Sequence, residues 1–181
     1  MKIISNIFEE GGMATYVASS YVLEVETGSG KKMNLEIWDT AGKQRFREVN
    51  KIFYKNARAV LSVYDITNRS SFEEITDYRA DQVKENACLN VVLGVIGNKS
   101  DLFEEEQVKE EEAKEFAESI GAFFMLTSTK LGTGISEAFK EIAEMIEKTG
   151  PIQLRNNNYY DEKSTLKIGK EQRTIDYNKC A

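Results

Sequence analysis

The chain has 181 residues, of which 41% are hydrophobic and 30% charged. This is the composition of one globular domain able to bury roughly 68–70% of its unfolded surface, and it excludes a collagenous, low-complexity or disordered chain. Twenty-four Lys and Arg against thirty Asp and Glu leave a net charge of −6, so there is no positive field to wrap a phosphate backbone and nucleic acid is not an expected partner. The absence of histidine removes Ser-His and Cys-His nucleophile pairs and every zinc site that needs an imidazole.

Cys88 and Cys180 are too few for a disulfide framework and wrongly spaced for a redox pair, which fits a reduced, cytoplasmic setting. The longest apolar runs, near Ala59–Ile66 and Val91–Gly97, fall short of the ~20 residues that span a bilayer. The opening MKIISNIF lacks the length and the cleavage-like tail of a signal peptide.

In chain order, the first clear pattern is a hairpin. Tyr21, Leu23 and Val25 alternate with Val22, Glu24 and Glu26, and Met33, Leu35 and Ile37 alternate with Asn34 and Glu36, around a Gly- and Lys-rich turn from Thr27 to Lys32. AVLSVYD (59–65), VVLGVIG (91–97) and FFML (123–126) are short, near-continuous apolar runs, expected of parallel strands buried on both faces. Between them, Ser70 and Ser71 precede Glu73 and Glu74 at capping-box spacing. Val108, Ala113, Phe116, Ala117 and Ile120 form one helical stripe, and Ile135, Phe139, Ile142 and Ile146 another. Strands alternating with helices predict an α/β fold, a three-layer, mostly parallel sheet with helices on both faces. Residues 1–150 read as the domain, and 151–181, after the sole proline at Pro151, as a flexible tail.

Ligands of such sheets bind beyond the carboxyl ends of the strands. After Trp38 comes Asp39-Thr40-Ala41-Gly42, where a carboxylate can hold Mg²⁺ through its hydration shell and a glycine lets a backbone N–H approach a phosphate. After VVLGVIG comes Asn98-Lys99-Ser100-Asp101, where an acceptor-only carboxylate can take two donors from the edge of a guanine while the Lys stem covers its face. After FFML comes Thr127-Ser128-Thr129-Lys130, a small-residue loop able to present backbone N–H groups to a base carbonyl. Taken singly, each is also readable as an ordinary turn or loop; three of them in this order, each directly after an apolar strand, are hard to explain as independent turns.

WDTAGKQRFR (38–47), YKNARAVLSVYDITNRSSFEEI (54–75), GNKSDL (97–102) and TSTKLGTGISEAF (127–139) resemble the Ras superfamily of small GTPases, nearest its Rab branch, over residues 3–149. The resemblance implies the small-GTPase fold and a GTP/GDP switch whose loops are ordered by the γ-phosphate and read by effector, exchange-factor and GTPase-activating proteins. It implies that Asn98, Lys99 and Asp101 bind guanine, with Ser128, Thr129 and Lys130 completing the pocket. Asp39 would sit near Mg²⁺, Gly42 would contact the γ-phosphate, and Thr15, in GGMATYVASSY, lies near the family's Mg²⁺-binding threonine. Trp38, Phe46 and Tyr54 would line an effector patch, with core burial as the other reading of Trp38.

Three features depart from the family. No G-x-x-x-x-G-K-[ST] phosphate loop occurs in the sequence, and MKIISNIFEE resembles the helix that follows it, so the first central strand is also missing; Gly28-Ser29-Gly30-Lys31-Lys32 has the wrong spacing and lies in the hairpin turn. Losing a central strand of ~5–6 residues leaves roughly ten backbone groups unpaired at ~1–3 kcal/mol each unless water reaches them, so the expectation is a shortened product or incomplete gene model. Second, Lys43 followed by Gln44 stands where the family carries its hydrolytic Gln. A lysine has no acceptor for the attacking water, so conversion of GTP and water to GDP and phosphate should be slow. Third, Cys180 is followed by Ala181 alone and the tail is not polybasic, which supports weak anchoring at best. The leading reading is a cytoplasmic switch of vesicle traffic, peripheral on an endomembrane. A nucleotide-independent pseudo-GTPase module and a non-functional truncated product are the alternatives.

Overall fold

The computed structural model describes residues 19–40, 53–55, 57–79, 83 and 86–153. The hairpin pairs β1 (Ser19–Glu26) antiparallel with β2 (Lys32–Asp39), Leu23 opposite Leu35 and Tyr21 opposite Ile37. Its predicted alternation is present: Tyr21, Leu23, Val25, Met33, Leu35 and Ile37 are half-buried and the residues between them exposed. Thr27, itself buried, closes the turn through its N–H to Lys31 O at 2.9 Å and its carbonyl to Gly30 N at 2.9 Å.

The second sheet runs β3 (Ala59–Asp65), β4 (Val92–Asn98) and β5 (Phe123–Leu126) in the order β3-β4-β5, all parallel. Among the described residues no strand joins this sheet to the hairpin. One expectation is corrected here. Val63, within a run expected to be buried on both faces, is 51% exposed, and FFML is half-buried throughout, because apolar content alone does not say whether a further layer covers both faces of a strand.

Helix α1 (Arg69–Glu74) continues into a wider π-type turn over Ile75–Arg79. The capping box is also corrected: the N-cap is Asn68 and makes no side-chain cap bond. Ser71 Oγ instead donates to Asn68 O at 2.7 Å and accepts from Asp65 N at 3.0 Å, folding the strand end back on the helix. Helix α2 (Glu110–Ile120) ends on Gly121 in the left-handed region, and α3 (Ile135–Thr149) begins after Gly134.

The main core lies between the sheet and α1 and α2. Tyr64, Ile66, Phe72, Ile75, Val95, Val108, Ala113 and Ala117 are buried together, with Phe116, Phe124 and Leu126 packed against them. The rings of Tyr64 and Phe72 lie 5.0 Å apart, and Phe72 meets Phe116 edge-on at 5.7 Å, geometries that aromatic quadrupoles favour. Because side chains alternate across a strand, Val92 and Ile96 lie on the face of β4 opposite Val95. On α3, which contacts β4 and β1, the buried residues are Ala138, Ile142 and Ala143.

The hairpin is tied to α3 at its turn, where Gly28 N–H donates to Glu144 at 3.0 Å and Ser29 Oγ to Glu147 at 3.1 Å. Arg58 Nη2 caps the C-terminal end of α3 through Ile146 O at 3.1 Å and Gly150 O at 2.6 Å, a favourable place for a cation. Leu89 and Asn90 hold Gln153 by bonds of 2.8 and 2.9 Å. The rest of the expected tail, 154–181, lies outside the described residues.

Candidate functional site

Parallel pairing sets β3, β4 and β5 side by side with their carboxyl ends at one edge, and the polar segments that follow share that edge. Asn98 closes β4 opposite Asp65, the last residue of β3. Thr127 follows β5 and extends the pairing through its N–H to Gly97 O at 2.8 Å, while Ser100 N–H returns to Thr127 O at 3.0 Å. Two loops far apart in sequence are thereby laced together.

Asn98 is the tie between them. Its Oδ1 accepts from Thr129 N at 3.2 Å and from Thr127 Oγ1 at 3.3 Å. Ser128 is wholly buried; its hydroxyl donates to Asp101 Oδ1 and accepts from Leu131 N at 3.0 Å. Asp101 Oδ2 has no protein partner among the described residues, so the carboxylate is oriented from one side and keeps acceptor capacity on the other. Lys99 lies in the left-handed region (φ 66°, ψ 35°), the single non-glycine with positive φ among the described residues. An L-residue is disfavoured there, and the turn it makes follows at once on Asn98.

The TSTK loop is held by its own closure. Ser128 and Thr133 form an isolated bridge, N to O 3.0 and 3.2 Å, and Gly132 N–H reaches Ser128 O at 2.7 Å. Gly134 has φ +73° and packs so tightly that a Cβ there would sit 2.3 Å from Leu126 O. The expectation that this loop offers backbone N–H groups to a base is corrected for two of them: those of Ser128 and Thr129 are already taken by Thr133 O and Asn98 Oδ1. Thr129 is half-buried and Lys130 exposed at the rim.

Sequence reasoning missed Asp65 and Thr67. Asp65 Oδ2 pairs with Lys99 Nζ at 2.6 Å, and its Oδ1 accepts from Thr67 N at 2.9 Å and Thr67 Oγ1 at 2.8 Å. Partial burial raises the carboxyl pKa, but the hydrogen bonds from Lys99 and Thr67 outweigh it, so Asp65 titrates below its ordinary range. The signal was a carboxylate at the carboxyl end of AVLSVYD, the position searched after the other strands.

The other predicted site residues are placed less fully. Asp39 ends β2, on the hairpin. Thr15, Gly42, Lys43, Gln44 and Phe46 lie outside the described residues. Among the described residues no group of three or more His, Cys, Asp or Glu could hold a metal. Asp39 alone does not make a Mg²⁺ site. The donor and acceptor set at Asn98, Lys99 and Asp101 does fit the base of a guanine nucleotide. Trp38 is 48% exposed, which excludes core burial; its ring lies 5.3 Å from that of Phe53, next to Tyr54. No described helix is long and apolar enough to cross a membrane.

A parallel α/β sheet with a carboxamide, a lysine and a carboxylate on the loop after one strand and a buried serine after the next defines a candidate nucleotide-binding domain. Comparison with known proteins agrees: the sequence model of the Ras family matches residues 1–148. A curated relative, the Ras-related protein Rab-2B of Dictyostelium discoideum, is 41% identical over 136 residues, which cover 72% of this chain and 67% of the relative. The chain belongs to the Ras family and is a Rab-like small GTPase by descent.

Proposed function

We propose that the chain recognises guanine nucleotides through Asn98, Lys99, Asp101, Ser128, Thr129 and Lys130, and works as a GTP/GDP switch in vesicle traffic. The observation that carries this reading is the lacing of the two loops. Ser128 orients Asp101, Asn98 holds Thr129, and Lys99, itself in the left-handed conformation, turns away from the end of the strand. Asp101 would accept from the N1–H and 2-amino group of guanine, a pair that adenine lacks, and the aliphatic stem of Lys99 would cover the face of the ring.

Titration calorimetry of the full chain with GDP, GTP and ADP tests the reading. Preference for guanine over adenine nucleotides, lost in Asp101→Asn, is the expected result. Equal affinity for GDP and ADP would refute it. Within this reading GTP, with Mg²⁺, is the ligand of the active state, and effector, exchange-factor and GTPase-activating proteins are the partners. Lys43 at the hydrolytic position makes turnover slow; a single-turnover rate restored by Lys43→Gln supports that assignment. Membrane contact would be peripheral, through Cys180.

A second reading is favoured by a separate observation. Trp38 is exposed, with its ring tilted against that of Phe53 at 5.3 Å, as suits a nucleotide-independent interaction module. Affinity weaker than about 1 mM for every nucleotide, equivalent to ~4 kcal/mol, together with a cooperative melt, would select the module.

A further inference from the structure

We infer that Asp65 and Thr67 are positioning residues for Lys99, holding its side chain as a strut across the ends of β3 and β4 so that its stem covers the bound base. A lysine is a poor wall for a pocket unless something fixes it, because its four-carbon stem has many rotamers and its ammonium is strongly hydrated. Here both ends are anchored. At the backbone end, Lys99 sits in the left-handed region between Asn98, whose side chain is tied to Thr129, and Ser100, whose N–H is tied to Thr127 O. At the other end the ammonium meets Asp65 Oδ2 at 2.6 Å.

The carboxylate that receives it is itself held. Asp65 Oδ1 takes two donors from Thr67, at 2.9 and 2.8 Å, and the Asp65 backbone N–H donates to Ser71 Oγ at 3.0 Å. Asp65 and Asn98 are register partners in the parallel ladder, and Ile66 N–H continues that ladder to Asn98 O at 3.1 Å. The strand pairing therefore fixes the distance between the foot of the strut and its receiving carboxylate. An ordinary surface ion pair has two mobile partners and loses in entropy most of what it gains in attraction. This one has a carboxylate with 22% side-chain exposure, fixed before the lysine arrives, and a lysine whose backbone is constrained. Its consequence is preorganisation of the stem for binding.

The inference rests on the base-pocket reading and is tested so that the two fail separately. Calorimetry of the full chain is run with GDP and with IDP, which lacks the 2-amino group, for wild type, Asp65→Asn, Lys99→Met and the double variant. Covering a purine face does not depend on the 2-amino group, so Asp65→Asn should weaken both ligands by about tenfold and leave the GDP/IDP ratio unchanged. Asp101→Asn should change that ratio. Asp65→Asn and Lys99→Met should be non-additive, the double variant matching the weaker single one. Thr67→Val, which removes one donor to Oδ1, should weaken both ligands about twofold and serves as the test if Asp65→Asn does not fold. Additive losses, or affinities within twofold of wild type for Asp65→Asn, would overturn the strut while leaving the base pocket standing. Failure of the wild-type chain to bind either ligand overturns both.

Discussion

Replacing Ser128 by alanine removes one oxygen atom from a wholly buried site and tests the centre of the proposed pocket. The hydroxyl makes two bonds, donating to the Asp101 carboxylate and accepting from Leu131 N at 3.0 Å. A hydrogen bond to a charged group contributes about 1.5–3 kcal/mol, and an orphaned N–H costs a further ~1–3 kcal/mol. The bond from Leu131 N is only part-buried, so the second figure falls to the bottom of its range or below. The expected loss is about 2–3 kcal/mol, a large part of a total stability of ~5–15 kcal/mol. In a chain of this size it lowers the midpoint of thermal unfolding by roughly 5–10 °C.

Urea denaturation of wild type and Ser128→Ala measures this directly. Ser119→Ala is the control: its hydroxyl bonds to Phe116 O at 2.6 Å from an exposed helix position, and the change should lie within about 0.5 kcal/mol. A Ser128→Ala variant as stable as that control, with the same denaturant slope, would show that Ser128 and Asp101 do not form the buried contact. The tie between the two loops would then be wrong. If the contact exists, Ser128→Ala also frees Asp101 to rotate, and selectivity for GDP over ADP should fall with stability.

Gly134→Ala should cost about 2–4 kcal/mol by denaturation, since it adds the strain of a positive φ to a Cβ placed 2.3 Å from Leu126 O. Gly121→Ala, with φ +72° and nothing within 4 Å, should cost only the ~1–2 kcal/mol of backbone strain; equal losses would refute the close approach at Gly134. Tyr64→Phe should be neutral or stabilising by about 1 kcal/mol, because the Tyr64 hydroxyl is buried without a partner among the described residues and burial holds its pKa above the ordinary tyrosine range; a clear loss of stability would mean that the hydroxyl is bonded. Asp65 has a folded-state pKa below its unfolded value of ~3.9, so its contribution to stability is fully present above that pH and disappears as pH falls through the folded value. In Asp65→Asn that part of the acid-induced loss should be missing, and an unchanged acid limb in a pH series of melts would count against the Lys99–Asp65 pair.

The sequence by itself determined the elements whose residues interact with neighbours in the chain or with one extended face. The hairpin was legible because period-two alternation, as in Tyr21, Leu23 and Val25, has one structural meaning. Helices α2 and α3 were legible because their stripes span several turns. The loop at Asn98–Asp101 was found because the ends of parallel strands are where such sheets bind ligands, and because the resemblance names the residues. Other properties depend on what packs from a distance. The helix starts earlier than the capping-box spacing suggested, at an Asn68 cap, and Ser71 inside it bonds Asn68 O and the end of β3. Val63 and Trp38 are exposed because burial depends on whether another layer covers a position, and hydrophobicity alone does not determine that.

Only the tertiary structure decided how the site is held together. Asp65 and Lys99 are 34 positions apart, and Asp101 and Ser128 are separated by 27; no local pattern encodes either pairing. They meet because parallel strands set in register bring their carboxyl ends to one edge. The register of β3 on β4 that puts Asp65 opposite Asn98 is a collective outcome of core packing on both faces of the sheet, since a shift of one residue would exchange the sets of side chains presented to the two faces and undo the packing of each.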